Sequence, residues 1–295
     1  MADTTIQKAK RDPKDYKSSL KPIWCPGCGD FGVLNAIYKA FSNLNIEPHN
    51  IAFFSGIGCS SRIPGYTNTY AFNSVHGRAL PLAIGCKLAN PKLTVIAAGG
   101  DGDGFSIGGG HVAHAVRRNV DMTYIIMDNG IYGLTKGQLS PTTPRGDITS
   151  TSFWGSIEDP INPLALLIGY GCGYIAQGTP ANLELLTELI VKGIEYKGFA
   201  FINVICPCIT YRGGHEALKK LKEITMKLES QGHNPRDKVA AFKVAERYGS
   251  AVEEGLIYIE EKKDYYSRFE DMFAKAKTSK VFPRRDILDS FIPKG

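Results

Sequence analysis

The 295-residue sequence lacks any run of about 18 apolar residues that could span a membrane. Its first twenty residues are polar and contain no apolar stretch typical of a signal peptide. We therefore expect a cytoplasmic protein with no membrane partner. Because disulfides are rare in that compartment, the seven cysteines are expected to bind metal or to take part in catalysis.

A strong excess of charge of one sign is also absent. The net charge of +6 is spread over mixed Lys and Glu residues, and no stripe of basic and aromatic residues accompanies it. The sequence therefore argues against a nucleic-acid partner, although this charge would attract a small acidic one. Charged residues make up 22% and hydrophobic residues 43% of the chain, which are proportions of a folded globular protein.

Apolar runs and helical patterns alternate between positions 30 and 206. Buried strands are predicted at 50–56, 93–100, 122–129 and 199–206. Helices are predicted at 30–44, where Asp30 is the N-cap candidate, and at 76–88, 107–119 and 182–196. This alternation predicts an α/β fold, a doubly wound parallel sheet with helices on both faces. Such sheets bind ligands beyond the carboxyl ends of their strands.

Three regions are expected along the chain. Residues 1–20 are predicted to form a loose N-terminal arm, and residues 21–215 to form the ligand-binding domain. Residues 216–295 are charged, with mostly helical patterns, and predict an appended C-terminal extension rather than a second core.

The segment AAGGDGDGFSIGGGHVAHA (97–115) joins a buried strand, a glycine-rich turn with two acids, and the start of a helix. Glycines let backbone N–H groups approach a phosphate, and the helix N-terminus favours its negative charge. Carboxylates beside a phosphate require a cation between them, which predicts Mg²⁺ at Asp101. Asn129, directly after the next strand, is the expected second oxygen ligand.

The GDG turn and the later Asn resemble the thiamine-diphosphate motif, in which Asp and Asn hold the Mg²⁺ of the diphosphate. Two other interpretations remain open for the turn. It could carry only solvated acids, or it could belong to a dinucleotide site, although acids stand where a dinucleotide loop needs small residues.

The cysteines have several possible roles. Cys25 and Cys28 form a CxxC pair, but the preceding KDYKSSLKPIW is too polar for the strand that a thioredoxin-like site follows. Cys59, Cys206 and Cys208 stand on loops after predicted strands. Four thiolates at one edge of the sheet suit either zinc or a 4Fe–4S cluster, and their spacing does not separate the two.

Six motifs lie between residues 21 and 212: WCPGCGDFGVL, SGIGCSSR, HGRALPLAIGCKLANP, GGDGDGFSIGGGH, DNGIYGLTKGQLSPTTP and PCITY. Together they resemble the β subunit of the 2-oxoacid:ferredoxin oxidoreductases, and GLTKGQLSPTTPRG is most similar to the 2-oxoglutarate enzymes. The resemblance implies that residues 21–215 are a thiamine-diphosphate-binding domain of the kind that holds the diphosphate.

The resemblance also implies the ligands of two metal groups. In the family a CxxC pair, the GIGC cysteine and a cysteine directly before an (I/V)T(F/Y) stretch hold one 4Fe–4S cluster. On this sequence those residues are Cys25, Cys28, Cys59 and Cys208. Cys206 is the alternative fourth ligand, whereas Cys86 and Cys172 are expected to be small core residues. For Mg²⁺, the resemblance adds the backbone carbonyl of Ile131 to Asp101 and Asn129.

Cofactor and substrate contacts follow from the same resemblance. The positions that match the family's cofactor-lining motifs are Ile57, Gly58, Cys59, Ser60, His76, Gly102, Asp103, Gly133 and Leu134. His76 could instead be an ordinary residue at a helix N-terminus. Arg62 could bind a substrate carboxylate through two hydrogen bonds or be a surface arginine, and Lys136 is placed near the substrate.

The implied activity is oxidative decarboxylation of a 2-oxoacid with coenzyme A, giving an acyl-CoA, CO₂ and reduced ferredoxin. The implied substrate is 2-oxoglutarate, which makes the enzyme a 2-oxoglutarate synthase, and the reverse reaction would carboxylate succinyl-CoA. The expected partners are ferredoxin and an α subunit, with which the chain is expected to form a heterodimer or a dimer of heterodimers. The α subunit would supply the ylide-activating Glu, so no catalytic residue is assigned on this chain.

Other functions remain open from the sequence. Pyruvate or a broad range of 2-oxoacids could replace 2-oxoglutarate, since specificity depends partly on the partner subunit. A non-redox thiamine-diphosphate decarboxylase would have no need of the four cysteines. A zinc-binding interaction protein would not explain the GDG turn with its later Asn, and a dithiol reductase would leave Cys59 and Cys208 without a role.

Overall fold

The computed structural model describes residues 10–278, in which eight strands form one sheet. The strands are β1 (Ile51–Ser55), β2 (Tyr70–Asn73), β3 (Thr94–Gly100), β4 (Met122–Asp128), β5 (Tyr174–Gly178), β6 (Phe199–Ile205), β7 (Thr225–Lys227) and β8 (Val252–Ile259). The helices are α1 (Asp30–Asn43), α2 (Ala79–Ala89), α3 (Gly109–Arg118), α4 (Pro163–Tyr170), α5 (Leu183–Glu195), α6 (Gly214–Ile224), α7 (Lys238–Glu246) and α8 (Tyr265–Thr278). Within the sheet the order is β2-β1-β3-β4-β6-β5-β8-β7.

The middle of the sheet is buried on both faces because its strands are continuous apolar runs. All seven residues of β4 and six of the seven in β6 are buried. The two strands pair in parallel, in a register that sets Ile125 opposite Ile202. All neighbouring pairs among β1 to β6 are parallel, so the predicted doubly wound parallel sheet is confirmed.

Helices cover the two faces and form two core layers. On one face α1 packs against α5, and the core there includes Phe41, Ile190 and Ile202. On the other face α2, α3, α4 and α7 follow one another, and the core includes Leu167 and Phe201. No helix within residues 10–278 is long and apolar enough to cross a membrane.

The predicted helices correspond to α1, α2, α3 and α5, with corrections at two of their starts. The N-cap of α1 is Gly29 rather than Asp30, whose carboxylate accepts a hydrogen bond from Cys206 Sγ. The helix predicted from His76 begins only at Ala79, because Gly77 first turns the chain at φ +70°. His76 therefore lies in the turn ahead of α2. Strands β2 and β5 and helix α4 were not predicted.

The C-terminal region contains two strands that its charge pattern did not predict. Strand β8 pairs antiparallel with β5, and β7 pairs with β8, so this region extends the main sheet, while α6, α7 and α8 fit the predicted helical extension. Both glutamates of β8, Glu253 and Glu254, are buried. Arg247 lies 2.7 Å from Glu253, and Thr179 donates to Glu254 at 3.2 Å. Internal partners make the burial of these charges tolerable, which the sequence pattern does not reveal.

Residues 10–20 are not the loose arm that the sequence predicts. A short 3₁₀ turn over Pro13–Tyr16 buries Tyr16 completely. The Tyr16 hydroxyl lies 3.0 Å from the Phe41 carbonyl and 2.7 Å from the Ile46 carbonyl, which satisfies it inside the core. Residues 1–9, the rest of the predicted arm, lie outside the described residues, as do residues 279–295.

Four loops leave the carboxyl ends of parallel strands at the same edge of the sheet. The loops after β1, β3, β4 and β6 begin at Gly56, Asp101, Asn129 and Cys206. They carry the glycine, acid and cysteine motifs that the sequence singles out. Since ligands of doubly wound sheets bind at this edge, the fold brings the predicted site residues to the expected place.

Candidate functional site

A pocket of about 120 Å³ opens at the carboxyl edge of the sheet, between the loops after β1, β3 and β4. Its walls include all nine predicted cofactor contacts and all three predicted magnesium ligands. The remaining lining residues are Gly100, Tyr132 and Thr135. Residues that are up to 78 positions apart in the sequence (57 to 135) thus share one cavity.

Asp103 holds the loops of the pocket together. Its side chain is buried, and its Oδ1 accepts hydrogen bonds from the N–H groups of Ile57 at 2.9 Å and Gly77 at 2.8 Å. His76 Nδ1 lies 2.7 Å from the same oxygen. A buried carboxylate needs such partners, so Asp103 ties the loop after β1 and the turn before α2 to the loop after β3. The sequence predicted Asp103 as a cofactor contact and did not reveal this structural role.

Asp101 and Asp128 are two buried carboxylates bridged by one hydroxyl group. Thr142 Oγ1 lies 2.7 Å from Asp101 Oδ2 and 2.8 Å from Asp128 Oδ1. Burial, followed by the charge of Asp128, raises the pKa of Asp101 to about 7. Burial also raises the pKa of Asp128. A nearby cation would favour the ionised forms, so the pair is electrostatically suited to one.

The loop after β4 brings further oxygen atoms beside Asp101. The N–H of Asn129 lies 3.4 Å from Asp101 Oδ1, and Asn129 Oδ1 accepts a hydrogen bond from the N–H of Ile131 at 3.0 Å. The loop is fixed at the Gly130 carbonyl, which accepts hydrogen bonds from Thr143 Oγ1 at 2.7 Å and from an Arg212 side chain at 2.9 Å. The amide, carbonyl and carboxylate oxygens here are the donor types that Mg²⁺ prefers.

Within residues 10–278, no three His, Cys, Asp or Glu side chains are grouped so that they could hold a metal ion. The predicted magnesium set contains only one such side chain, Asp101, because phosphate oxygens and water normally complete the shell of Mg²⁺. The magnesium ligands therefore stay a prediction that the donor chemistry of the loop fits.

Trp24 connects the N-terminal CxxC pair to the loop after β1. Its indole is buried, packs edge-on against Tyr66, and donates a hydrogen bond to the Cys59 carbonyl at 2.7 Å. The Cys28 N–H donates to the Cys25 carbonyl at 3.0 Å and closes the CxxC turn. Among the described residues no strand precedes the CxxC motif, and the contacts of Trp24 hold it next to the loop after β1.

Two of the four predicted cluster cysteines, Cys59 and Cys208, lie on either side of one point at the edge of the pocket, and the cluster ligands as a set stay a prediction, since the described residues contain no ready-made group of three such side chains. A Cβ atom built on Gly133 would lie 3.5 Å from Cys208 Sγ and 3.8 Å from Cys59 Sγ. Burial, followed by the charge of Asp30 and smaller contributions from Cys208 and Cys59, raises the pKa of the Cys28 thiol to about 12. Burial, followed by Asp30, Cys208 and Cys25, raises the pKa of the Cys59 thiol to about 11.

Cys206 has different surroundings from Cys208. It is 3% exposed, and its Sγ donates to Asp30 Oδ1 at 3.4 Å beneath the start of α1. Burial, together with Asp30, raises its pKa well above the usual thiol value. Cys208 is more exposed and lies beside Gly133, so the two cysteines occupy different environments.

Arg62 and Lys136, the predicted substrate residues, are not part of the pocket wall. Both side chains are exposed, and Arg62 Nε donates to the Tyr66 hydroxyl at 3.1 Å. Lys136 has φ +78°, a left-handed conformation that is uncommon for a residue with a Cβ atom and that recurs at functional sites. Their roles toward substrate stay predictions.

Sequence reasoning missed three residues of the site. Asp128 and Thr142 form the bridge to Asp101, and Tyr132 donates a hydrogen bond from its hydroxyl to the Gly102 carbonyl at 3.1 Å. The signals were present, since Asp128 directly precedes Asn129 and Thr142 stands in the SPTTP motif.

The chain is similar to known proteins both in its sequence families and in individual relatives. Residues 56–204 match the family of thiamine pyrophosphate enzymes, C-terminal TPP binding domain. Residues 208–275 match the family formed by the C-terminal part of the pyruvate ferredoxin oxidoreductase beta subunit. Subunit beta of 2-oxoacid:ferredoxin oxidoreductase 1 from Aeropyrum pernix is 40% identical over 268 residues, which cover 88% of this chain and 84% of that one.

Two further proteins point the same way. The 2-oxoglutarate synthase subunit KorB of Methanothermobacter thermautotrophicus is 43% identical over 220 residues, 75% of this chain and 77% of its own. A solved structure of 2-oxoglutarate:ferredoxin oxidoreductase from Magnetococcus marinus, with 2-oxoglutarate, coenzyme A and succinyl-CoA bound, superposes with a TM-score of 0.88. That chain is 39% identical, and the match covers 98% of each chain.

The contact between Gly56 and Asp103 generates a prediction. A Cβ atom at Gly56 would overlap the Asp103 carboxylate, whose three hydrogen bonds hold it in place. We expect Gly56→Ala to lower the free energy of unfolding by about 2 kcal/mol or more, measured by chemical denaturation. Gly85→Ala is the control, because its Cβ would meet open space in α2 and should be neutral or stabilise by up to about 1 kcal/mol. Equal effects of the two variants would contradict the anchoring role of Asp103.

Proposed function

Because this chain belongs to the β subunits of the 2-oxoacid:ferredoxin oxidoreductases, we propose that it binds thiamine diphosphate, Mg²⁺ and one 4Fe–4S cluster. With an α subunit it would convert 2-oxoglutarate and coenzyme A to succinyl-CoA and CO₂ and reduce ferredoxin. One observation carries the proposal: Cys59 lines the cofactor pocket and also lies beside Cys208 at Gly133. The same residue therefore borders both sites that a redox decarboxylase needs.

The choice of 2-oxoglutarate has its support in the relatives. Both KorB of M. thermautotrophicus and the M. marinus enzyme carry 2-oxoglutarate in their names. The A. pernix relative is named only for 2-oxoacids, so pyruvate or a broad range of 2-oxoacids is the second candidate. The reverse reaction, reductive carboxylation of succinyl-CoA, would use the same residues.

The diphosphate of the cofactor would be held by the loops after β3 and β4. Asp101, the Asn129 side chain and the Ile131 carbonyl are the proposed ligands of its Mg²⁺, and Gly102 lets the backbone approach the phosphates. Thiamine diphosphate, when bound, supplies the ring that accepts the electron pair released by decarboxylation. The His76 ring lies at the pocket wall, where its hydrogen bond to Asp103 orients it.

The cluster would be held by Cys25, Cys28, Cys59 and Cys208. Each iron of such a cluster takes its own cysteine, so the thiols need to surround a volume rather than meet at one point. Burial raises the pKa of the Cys28 and Cys59 thiols, and binding of the cluster would release their protons. The buried position of Cys206 supports Cys208 as the fourth ligand.

An α subunit would supply the rest of the active site, as the name of β subunit implies. Ile57 and Leu134 line the pocket, yet 47% and 53% of their surfaces are exposed. This exposure of apolar side chains supports the proposal that another chain covers the open side of the pocket. The ylide-activating Glu is proposed to come from that chain. The proposed boundaries between the N-terminal segment, the cofactor domain and the C-terminal extension stay at positions 20 and 215.

Ferredoxin, a small acidic protein, is the proposed electron acceptor. A groove beside Cys28 is also lined by Lys219 and Lys222 of α6, whose side chains are exposed. Neither lysine forms an ion pair with a carboxylate in the part of the chain that the structure describes. Positive charge next to a cluster ligand supports docking of an acidic partner there.

The proposed activity is tested with the co-expressed α and β chains, purified without oxygen. We expect CoA-dependent reduction of ferredoxin with 2-oxoglutarate at a kcat/KM at least tenfold above that with pyruvate. The β chain alone, with its cluster reconstituted and all substrates added, should be inactive because half of the site is absent. Turnover by β alone at the rate of the pair would contradict the shared site, and equal use of pyruvate would favour the second candidate.

Substitution of Asp101 should separate the two metal groups. Asp101→Ala in the complex should lose bound thiamine diphosphate and Mg²⁺ but keep its iron, because the cysteines lie on other loops. Cofactor extraction and iron analysis measure the two contents. Asp121→Ala is the control, since Asp121 pairs with Lys87 at 3.0 Å near the amino end of β4 and should keep both groups. Equal loss of iron in Asp101→Ala would argue against two separable sites.

Substitution of two neighbouring cysteines should identify the fourth cluster ligand. Cys208→Ser should lose most of its iron and its 4Fe–4S absorption, whereas Cys206→Ser should keep both. The physical reason is that Cys206 Sγ is bound to Asp30 inside the core and Cys208 Sγ lies beside Gly133 with Cys59. The opposite result would move the ligand to Cys206.

A further inference from the structure

A chain of polar contacts links the C-terminal region to the predicted magnesium ligand Asp101. Its first member is Tyr248, which follows α7 and lies within residues 208–275, the segment that matches the second sequence family. The Tyr248 hydroxyl donates to Asp128 Oδ2. Asp128 Oδ1 lies 2.8 Å from Thr142 Oγ1, which is 2.7 Å from Asp101 Oδ2.

The central residues of this series of polar contacts are buried. Asp128 is 5% exposed, Thr142 is 5% exposed and Asp101 is 1% exposed, so water does not replace these partners. Asn203, fully buried in β6, also faces Asp128 Oδ2, at 3.4 Å. In such surroundings the orientation of each carboxylate is set by the few donors that reach it.

We propose that Thr142, Asp128 and Tyr248 are positioning residues that orient the Asp101 carboxylate toward the cation of the bound diphosphate. This inference rests on the proposed function, because it assigns the magnesium ion to Asp101. With Oδ2 held by Thr142, Asp101 keeps Oδ1 directed toward the loop of Asn129, whose N–H lies 3.4 Å away. Tyr248 thereby makes the C-terminal region part of the cofactor site without touching the pocket.

This series of contacts from Tyr248 through Asp128 and Thr142 to Asp101, here called the relay, gives a role to Asp128, a buried acid that the proposed chemistry does not otherwise use. Asp128 belongs neither to the pocket wall nor to the predicted ligands. A buried carboxylate costs free energy unless hydrogen-bond partners compensate it. The partners of Asp128 include Thr142, which also contacts Asp101, and Tyr248 of the C-terminal region. Outer residues that hold a metal ligand commonly change metal affinity by 10- to 100-fold when they are removed.

The test uses the α–β complex and measures the apparent Kd for Mg²⁺ at a fixed concentration of thiamine diphosphate, from the near-ultraviolet circular dichroism of the bound cofactor. We expect Thr142→Val to weaken Mg²⁺ binding by about tenfold or more, and Thr142→Ser, which keeps the hydroxyl, to stay within about twofold of wild type. Tyr248→Phe should weaken binding by a smaller factor of about three or more. Tyr258→Phe is the control, since its hydroxyl bonds Glu260 at 3.0 Å, away from Asp128.

Iron content and melting temperature distinguish positioning from general damage. In every variant the iron content should equal that of wild type. If Mg²⁺ affinity falls in proportion to the melting temperature in all variants, including the control Tyr258→Phe, the loss reflects general destabilisation and the relay is overturned. Because the residues act in series, Tyr248→Phe should add little in the Thr142→Val background, whereas full additivity would overturn the connection.

Failure of the relay and failure of the proposed function give different results. If wild type binds the cofactor with Mg²⁺ and the Thr142→Val and Tyr248→Phe variants bind it equally well, the relay is wrong and the function stands. If Thr142→Val alone weakens binding, Tyr248 has no part in it and the proposal is overturned for the C-terminal region. If wild type shows no binding that depends on Mg²⁺, both the magnesium site and the relay are wrong.

Discussion

One buried carboxylate sets the shape of the pocket on which the rest of the site depends. Asp103 Oδ1 receives hydrogen bonds from the loop after β1 and from the turn before α2, although Asp103 itself belongs to the loop after β3. An unpaired buried carboxylate would be costly, so these three segments come together when the chain folds. Gly56 makes the approach possible because any side chain there would occupy the position of the carboxylate.

A row of polar side chains crosses the otherwise apolar sheet and connects the site to the C-terminal strand β8. Asn203 in β6 donates to Gln177 Oε1 in β5 at 3.1 Å, and Gln177 Nε2 donates to the Glu253 carbonyl in β8 at 2.8 Å. The row therefore runs from Asp128 at the end of β4 to the antiparallel strand at the far side. These side-chain hydrogen bonds link β4, β6, β5 and β8 and favour one arrangement of the strands, which gives β8 its place next to β5.

The parts of the fold that the sequence predicted are those that local patterns determine. Strands β3, β4 and β6 were predicted within a residue or two, since continuous apolar runs of this length have few other uses. Strand β8 was not predicted, because its two glutamates look exposed until their partners are known. The burial of Tyr16 and the structural role of Asp103 were missed for the same reason, as their hydrogen bonds join residues 25 or more positions apart. The pocket residues were predicted through motifs, whereas Asp128 and Thr142 required the geometry.

The wall shared by the pocket and the cysteine group limits the chemistry that this chain can support. Gly133 and Cys59 line the pocket, and the Sγ atoms of Cys59 and Cys208 both lie next to Gly133. A non-redox decarboxylase gains nothing from thiols at the wall of its cofactor pocket, and a zinc-binding interaction protein gains nothing from a pocket that contains Asp101 and Asn129. Electron transfer, in contrast, requires that donor and acceptor groups adjoin. The common wall is therefore the feature of the fold that favours a redox function over both alternatives.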